Sequence, residues 1–334
     1  MAANAAHRDA SLQALLSGGG LDVAAIRAAS DAICKRHAGL VLAEAAAFDC
    51  LLTQVARTPV QRLELDRHRP QLERRAATGR IRTLESGGAD ILYDLADPLV
   101  ALVTLGRTAE ANILANRYLD VTPQGATGWA LLPLYLSLRA GNAELADAIL
   151  APSPPRLVAV GGLSGTGKST LSRLIANRIG RAPGARVLRS DVFRKRLAGL
   201  PPETRLPPAH YTQRSDRETY EAIFESADDH LACGSSVILD AVFMSRSERD
   251  VAAAIAHRAR VPFTGIWLEA PERDRLARVA QRSGDASDAG VDVVREQSRR
   301  SVGELASWHR IRVNRPTELI VAAARAALDR AQPR

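Results

Sequence analysis

Apolar positions in the first part of the chain recur at intervals of three and four, the spacing of helices that each bury one face. The periodicity predicts helices over Leu21–His37, Val41–Ala56, Val60–Thr78, Ala109–Tyr118, Trp129–Arg139 and Ala143–Leu150. Ile91, Leu92, Leu95, Leu99 and Leu102 keep the same spacing. Pro98 is expected to interrupt that run, with Asp97 capping a second helix that has proline at its first position. No alternating stretch predicts a strand there, and Ser17-Gly18-Gly19-Gly20 and Ser86-Gly87-Gly88 read as loops. The pattern changes after Ala151-Pro152-Ser153-Pro154-Pro155, whose prolines cannot continue a helix and favour an extended linker. Short apolar runs at Leu157–Val160, Arg186–Arg189, Ser236–Leu239, Pro262–Leu268 and Trp308–Val313 then alternate with helical stretches, and a helix over Thr317–Arg330 closes the chain. The prediction is an α/β fold: a five-stranded parallel sheet covered on both faces, with ligands at the carboxyl ends of its strands. An all-α domain over 1–150 precedes it, a linker spans 151–156, and the α/β domain occupies 157–334.

Composition narrows the class. The chain has 334 residues, 46% hydrophobic and 25% charged, as in a globular protein with sizeable cores. No apolar run is long enough to span a bilayer and the first ten residues lack the apolar core of a signal peptide, so no membrane partner is expected. Cys34, Cys50 and Cys233 show no C-x-x-C spacing, which predicts no disulfide framework and a cytoplasmic location. The net charge of +8 suits a polyanion, but aromatics are only 4% and no basic run is interleaved with them, so nucleic acid is not the favoured partner. No two histidines form an H-x-x-x-H pair, and a structural zinc site is not expected. His7-Arg8-Asp9 spells a kinase tripeptide without the glycine loop or asparagine that should accompany it, and is read as chance.

Among 45 basic residues only Lys35, Lys168 and Lys195 are lysines. Lys168 lies in Gly162-Leu163-Ser164-Gly165-Thr166-Gly167-Lys168-Ser169-Thr170, a complete G-x-x-x-x-G-K-S phosphate loop between a predicted strand and a predicted helix. Lysine is a compact charge that reaches between phosphates where the arginine fork does not. ATP is therefore the expected ligand, with Ser169 on Mg²⁺. Asp191 follows the second strand, where a carboxylate can take the proton of an acceptor hydroxyl; the alternative is a helix N-cap. Arg194, one turn later, suits an anionic group on the acceptor. Asp240 ends the strand Val237-Ile238-Leu239 and is expected to serve Mg²⁺ or the acceptor. Arg273, Arg275, Arg278 and Arg282 form a basic helix, and Arg278 and Arg282 share one face, as in a lid that neutralises transition-state charge. The stiff loop Leu200–Pro208 with His210 and Tyr211 frames an acceptor pocket, and Asn314 is expected near the adenine.

These residues resemble the P-loop kinases of the zeta-toxin, gluconate-kinase and polynucleotide-kinase type. The resemblance rests on Gly162–Thr170, Ser190–Leu197, Val237–Phe243 and Arg278-x-x-x-Arg282-x-Gly284-Asp285-Ala286-Ser287-Asp288. The whole chain resembles bacterial two-domain proteins in which an aminoglycoside-phosphotransferase-like domain precedes such a kinase. There the match is Ile91–Ala96, Ala111-Asn112 with Asn116–Leu119, and Leu131–Arg139, the helical lobe only. The family's H-G-D-x-H loop and metal aspartate should fall between Gly79 and Ile91, where Arg80–Asp90 holds no histidine and the catalytic and metal strands are read as deleted. The resemblance thus implies an ATP- and Mg²⁺-dependent kinase acting on a hydroxyl of a small-molecule acceptor, beside a catalytically degenerate helical domain. Rival readings are a polynucleotide 5′-hydroxyl kinase, a nucleotide-sugar kinase of toxin type, and a non-catalytic ATP-binding switch.

Overall fold

The computed structural model describes residues 22–84, 87–281 and 286–331. It divides into two compact units: the described residues up to Ser153 with Arg181–Gly184, and Pro154–Gly180 with the described residues from Ala185 on. No described helix is long and apolar enough to cross a membrane. His7-Arg8-Asp9, the Ser17–Gly20 loop, Arg282, Gly284 and Asp285 lie outside the described residues.

The first unit contains α1 (Val23–Ala38), α2 (Ala46–Val55), α3 (Pro59–Ala77), strands β1 (Ile81–Leu84) and β2 (Gly87–Asp90), then α4 (Ile91–Thr104), α5 (Thr108–Val121), α6 (Gly125–Arg139) and α7 (Ala143–Leu150). Its core holds Ile33, Leu52, Leu92, Leu95, Leu99, Tyr118, Leu131 and Tyr135, all buried. Three expectations fail here. Ile81–Leu84 and Gly87–Asp90 pair as antiparallel strands, with Ile81 opposite Asp90, where no strand was expected. Residues 41–43 pair with β1, Thr83 N–H to Val41 O at 2.9 Å and Ala43 N–H to Ile81 O at 3.2 Å, so the helix expected from Val41 starts only at Ala46. Finally, α4 runs unbroken through Pro98, and Asp97 caps nothing but lies 3.3 Å from Arg139. Proline removes one ladder bond, but Leu92, Leu95, Leu99 and Leu102 are all buried on one face, and that burial outweighs the loss.

The residues that carry the resemblance in this unit are packing residues. Tyr93 and Tyr135 meet edge to face at 5.5 Å. Asp94 takes His37 and Arg36 at 2.8 and 2.5 Å, and Tyr118 Oη lies 2.7 Å from His37 Nδ1. Asp90, fully buried at the end of β2, accepts from Arg75 Nε (2.5 Å) and Nη2 (2.7 Å), from Tyr135 Oη (3.0 Å) and from the Leu92 amide (2.8 Å).

The second unit contains β3 (Leu157–Gly162), α8 (Lys168–Ala176), β4 (Arg186–Arg189), α9 (Ser190–Leu197), α10 (Gln213–Ala232), β5 (Val237–Asp240), α11 (Arg246–Arg258), β6 (Phe263–Glu269), α12 (Glu272–Ala280), α13 (Val291–Ser298), β7 (Trp308–Arg312) and α14 (Thr317–Arg330). All five strands are parallel, in the order β4-β5-β3-β6-β7. The period of two along β3 divides its side chains between two cores. Leu157 and Ala159 pack with Ile223, Ala227 and Ile255 of α10 and α11. Val158 and Val160 pack with Leu171 and Ile175 of α8 and Ala324 and Leu328 of α14. Both faces are thus covered, and every carboxyl end points to one edge.

Candidate active site

The central strand β3 delivers the phosphate loop to that edge. Gly162 has φ +142°, and a Cβ there would lie 2.8 Å from both Leu268 O and Thr166 Oγ1. Gly165 has φ +84°, and its Cβ would meet Arg275 O at 2.7 Å. Only glycine permits this backbone so close to its neighbours. The loop passes directly into α8, so the first-turn amides and the dipole of that helix favour an anion. Lys168 Nζ curls back to Gly162 O at 2.8 Å and Leu163 O at 3.4 Å. Thr166 Oγ1 donates to Leu163 O at 2.8 Å, fixing the bend, while Ser169 is half-buried and Thr170 exposed. The Ser164 amide donates to Gln297 Oε1 of α13 at 2.8 Å.

Register aligns Val160 with Asp240 and Asp240 with Arg189, so the phosphate loop, Asp240 and Ser190-Asp191 issue from adjacent strand ends. Asp240 is 4% exposed and lies 3.6 Å from Arg189 Nε, and its Oδ2 has no hydrogen-bond partner among the described residues. The backbone that follows is pinned: Gly162 N–H donates to Val242 O at 3.2 Å, and Phe243, left-handed at φ +53°, is held by Tyr220 Oη and Arg249. Asp191 lies inside α9, whose N-cap is Arg189, so the N-cap alternative does not hold.

Arg194 Nη2 pairs with Asp216 at 2.8 Å, and its guanidinium lies 5.2 Å from the centre of the Tyr211 ring. Arg194 Nε and Nη1 are buried without a hydrogen-bond partner among the described residues, a cationic fork with open donors beside Asp191. Tyr211 Oη donates to Asp288 at 2.5 Å. Burial, that bond, and the charges of Asp288 and Asp191 push the phenol well above its ordinary range. Asp288 also accepts from Lys195 Nζ at 2.9 Å and from the Leu206 amide at 3.0 Å. Burial pushes the Asp288 carboxyl up, but its bonds from Tyr211, Leu206 and Lys195 prevail and hold it below the usual carboxylate range.

The structure therefore groups Asp191, Arg194 and Tyr211, and sets Asp240 beside the phosphate loop. Arg278 bridges Gly165 O at 3.3 Å and Val313 O at 3.1 Å, which brings the β7 end and exposed Asn314 to the loop. Its donors reach carbonyls here, and Arg282, its expected partner, is outside the described residues. Lys195, Asp288 and Gln297 received no role from sequence. The one available signal was the rarity of lysine, because a buried lysine needs a carboxylate.

No described cluster of three or more His, Cys, Asp or Glu could hold a metal. Mg²⁺ needs less, since it binds through one or two protein oxygens, phosphates and water. The Ser169 hydroxyl and the unbonded Asp240 oxygen fit that donor set.

Residues 157–304 match the protein-family model described as an AAA domain. That stretch holds the phosphate-loop sequence, Asp191, Asp240, Arg278 and Asp288, so the match falls on the second unit. Uncharacterized proteins of Mycobacterium tuberculosis (strain H37Rv) and Mycobacterium bovis are 32% identical over 170 residues. The match covers 49% of this chain and 32% of each relative, so the chain spans about a third of the length of the curated relatives it matches. A gluconokinase from Sinorhizobium meliloti 1021 is similar at 22% identity over 54% of this chain and 94% of that one, with TM-score 0.39. An APS kinase of Mycobacterium tuberculosis, in complex with AMPPNP and APS, is similar at 18% identity over 53% and 98%, with TM-score 0.36. Likenesses at this level say nothing about the acceptor.

Proposed function

We propose that the second unit transfers the γ-phosphate of ATP to a hydroxyl of a small molecule that carries an anionic group. The observation that supports this reading is the edge itself, where a phosphate loop, an incompletely bonded buried Asp240 and Asp191 leave adjacent parallel strands. Lys168 and the loop amides hold the phosphates. Ser169 and Asp240 hold Mg²⁺, which when bound draws charge from the phosphate oxygens. Asp191 accepts the proton of the acceptor hydroxyl, and the open donors of Arg194 take its anionic group while Tyr211 covers them. Arg278, with Arg282, neutralises charge that develops on the transferred group, and Asn314 borders the adenine.

The first unit performs no phosphotransfer in this reading. Asp90 lies in the stretch where the resemblance calls for a metal ligand, and both its oxygens are engaged by Arg75, Tyr135 and the Leu92 amide.

The test is Lys168→Ala in the full chain, with ATP consumption and circular dichroism followed together. Turnover should be abolished in a variant with the wild-type spectrum. Near-full turnover in the folded variant would remove the nucleotide reading.

A further inference from the structure

One carboxylate ties together three parts of the acceptor side. Asp288 lies between α12 and α13. Its Oδ1 takes Lys195 Nζ, and its Oδ2 takes the Leu206 amide and Tyr211 Oη. Lys195 is 1% exposed, and a buried ammonium is stable only beside an anion. Lys195 comes from α9, the helix that carries Asp191 and Arg194, while Leu206 and Tyr211 lie in the stiff loop that follows. Farther along the Asp288 stretch, α13 reaches the phosphate loop. Gln297 accepts from the Ser164 amide, and Ser298 Oγ accepts from Arg275 Nη2 at 2.6 Å. The backbone of Arg275 in turn lies against Gly165. A single stretch of chain, 286–298, thus grips the phosphate loop at one end and the acceptor frame at the other.

Resting on the nucleotide reading above, we infer that Asp288 is a positioning residue that couples the phosphate loop to the acceptor frame, so that nucleotide on the loop orders α9, Leu206 and Tyr211. The stretch is short and anchored within: Ala286 is fully buried, and Gly290 is the N-cap of α13. A change at Ser164 therefore reaches Asp288 through packed structure, and three donors respond to one acceptor.

Hydrogen exchange of the full chain, with and without AMPPNP and Mg²⁺, tests this. In the wild type, nucleotide should slow exchange severalfold in peptides covering 162–170 and also in those covering 203–212, which contain the Leu206 amide. Asp288→Ala alone strands the Lys195 charge and can unfold the domain, so the decisive variant is Lys195→Met with Asp288→Ala, which removes both charges and the acceptor of the Leu206 and Tyr211 bonds. It should keep nucleotide protection at 162–170 and lose the nucleotide-dependent part at 203–212. A purely structural role would lower protection there equally with and without nucleotide, and that result would overturn the coupling. So would nucleotide protection of 203–212 that survives in the double variant, or a wild type protected at 162–170 only. A wild type unprotected at 162–170 would instead sink the nucleotide reading, and the coupling with it.

Discussion

Asp90 and Asp240 occupy the same place in two different units. Each ends a strand, and each is buried, at 0% and 4% exposure. Their surroundings differ. Asp90 has a bidentate arginine, a tyrosine hydroxyl and a backbone amide, so its charge is fully answered. Asp240 has one arginine at 3.6 Å and an oxygen that nothing described bonds. A saturated buried carboxylate acts within the fold, whereas an unsaturated one at a ligand edge is available to something that arrives. The contrast separates an aspartate saturated by the fold from one with acceptor capacity to spare, without reference to any relative.

The largest effect should come from Asp90→Asn. It leaves the Arg75 guanidinium buried without its counterion, and breaking such a pair costs about 3–5 kcal/mol. Urea unfolding should show that loss, and a change below about 1 kcal/mol would erase the contrast. Next, Asp240→Asn should leave stability within about 1 kcal/mol, because Asp240 makes few bonds to lose and Arg189 has further partners. Its effect should fall on Mg²⁺-dependent ATP turnover, by about 10²-fold or more, comparable to other single transition-state contacts. An Asp240→Asn variant that loses about 3 kcal/mol of stability yet turns over normally would invert the assignment.

A smaller effect belongs to His230, which shares features of both aspartates. Its Nδ1 lies 2.7 Å from Ser226 O, and its Nε2 is buried without a hydrogen-bond partner among the described residues. Burial lowers its pKa to about 4, against the Ser226 bond and with help from Arg186 and Arg196. The unfolded chain, with a histidine pKa of about 6.5, therefore binds the proton first as pH falls. Stability should drop by about 1.6 kcal/mol between pH 6.5 and pH 5. His230→Leu should flatten that part of the profile, and an unchanged slope would assign it to other groups.

The parallel sheet was legible because each strand is a compact apolar run between helices, and the phosphate loop because its spacing is local. Asp191 and Asp240 followed from strand ends. The Asp288 junction was not legible, since Lys195, Leu206, Tyr211 and Asp288 meet only through the tertiary fold. Ile81–Leu84 and Gly87–Asp90 were missed for a similar reason. Gly87-Gly88-Ala89 has no strand propensity of its own, and its partner strand is stabilised by residues 41–43. Pro98 misled because local rules weigh the lost ladder bond and not the buried face around it.

The place of β3 at the centre of its sheet has a kinetic consequence. Leu157 pairs with Val237 on one side and with Phe263 on the other, so both neighbours of this wholly buried strand are made long after it. At roughly 5–20 residues per second, the ribosome leaves Leu157–Gly162 without a partner for on the order of ten seconds. The first unit can collapse on its own local helices during that interval. Folding of the nucleotide domain waits for β6, and the apolar strand meanwhile depends on transient cover to avoid association with other chains.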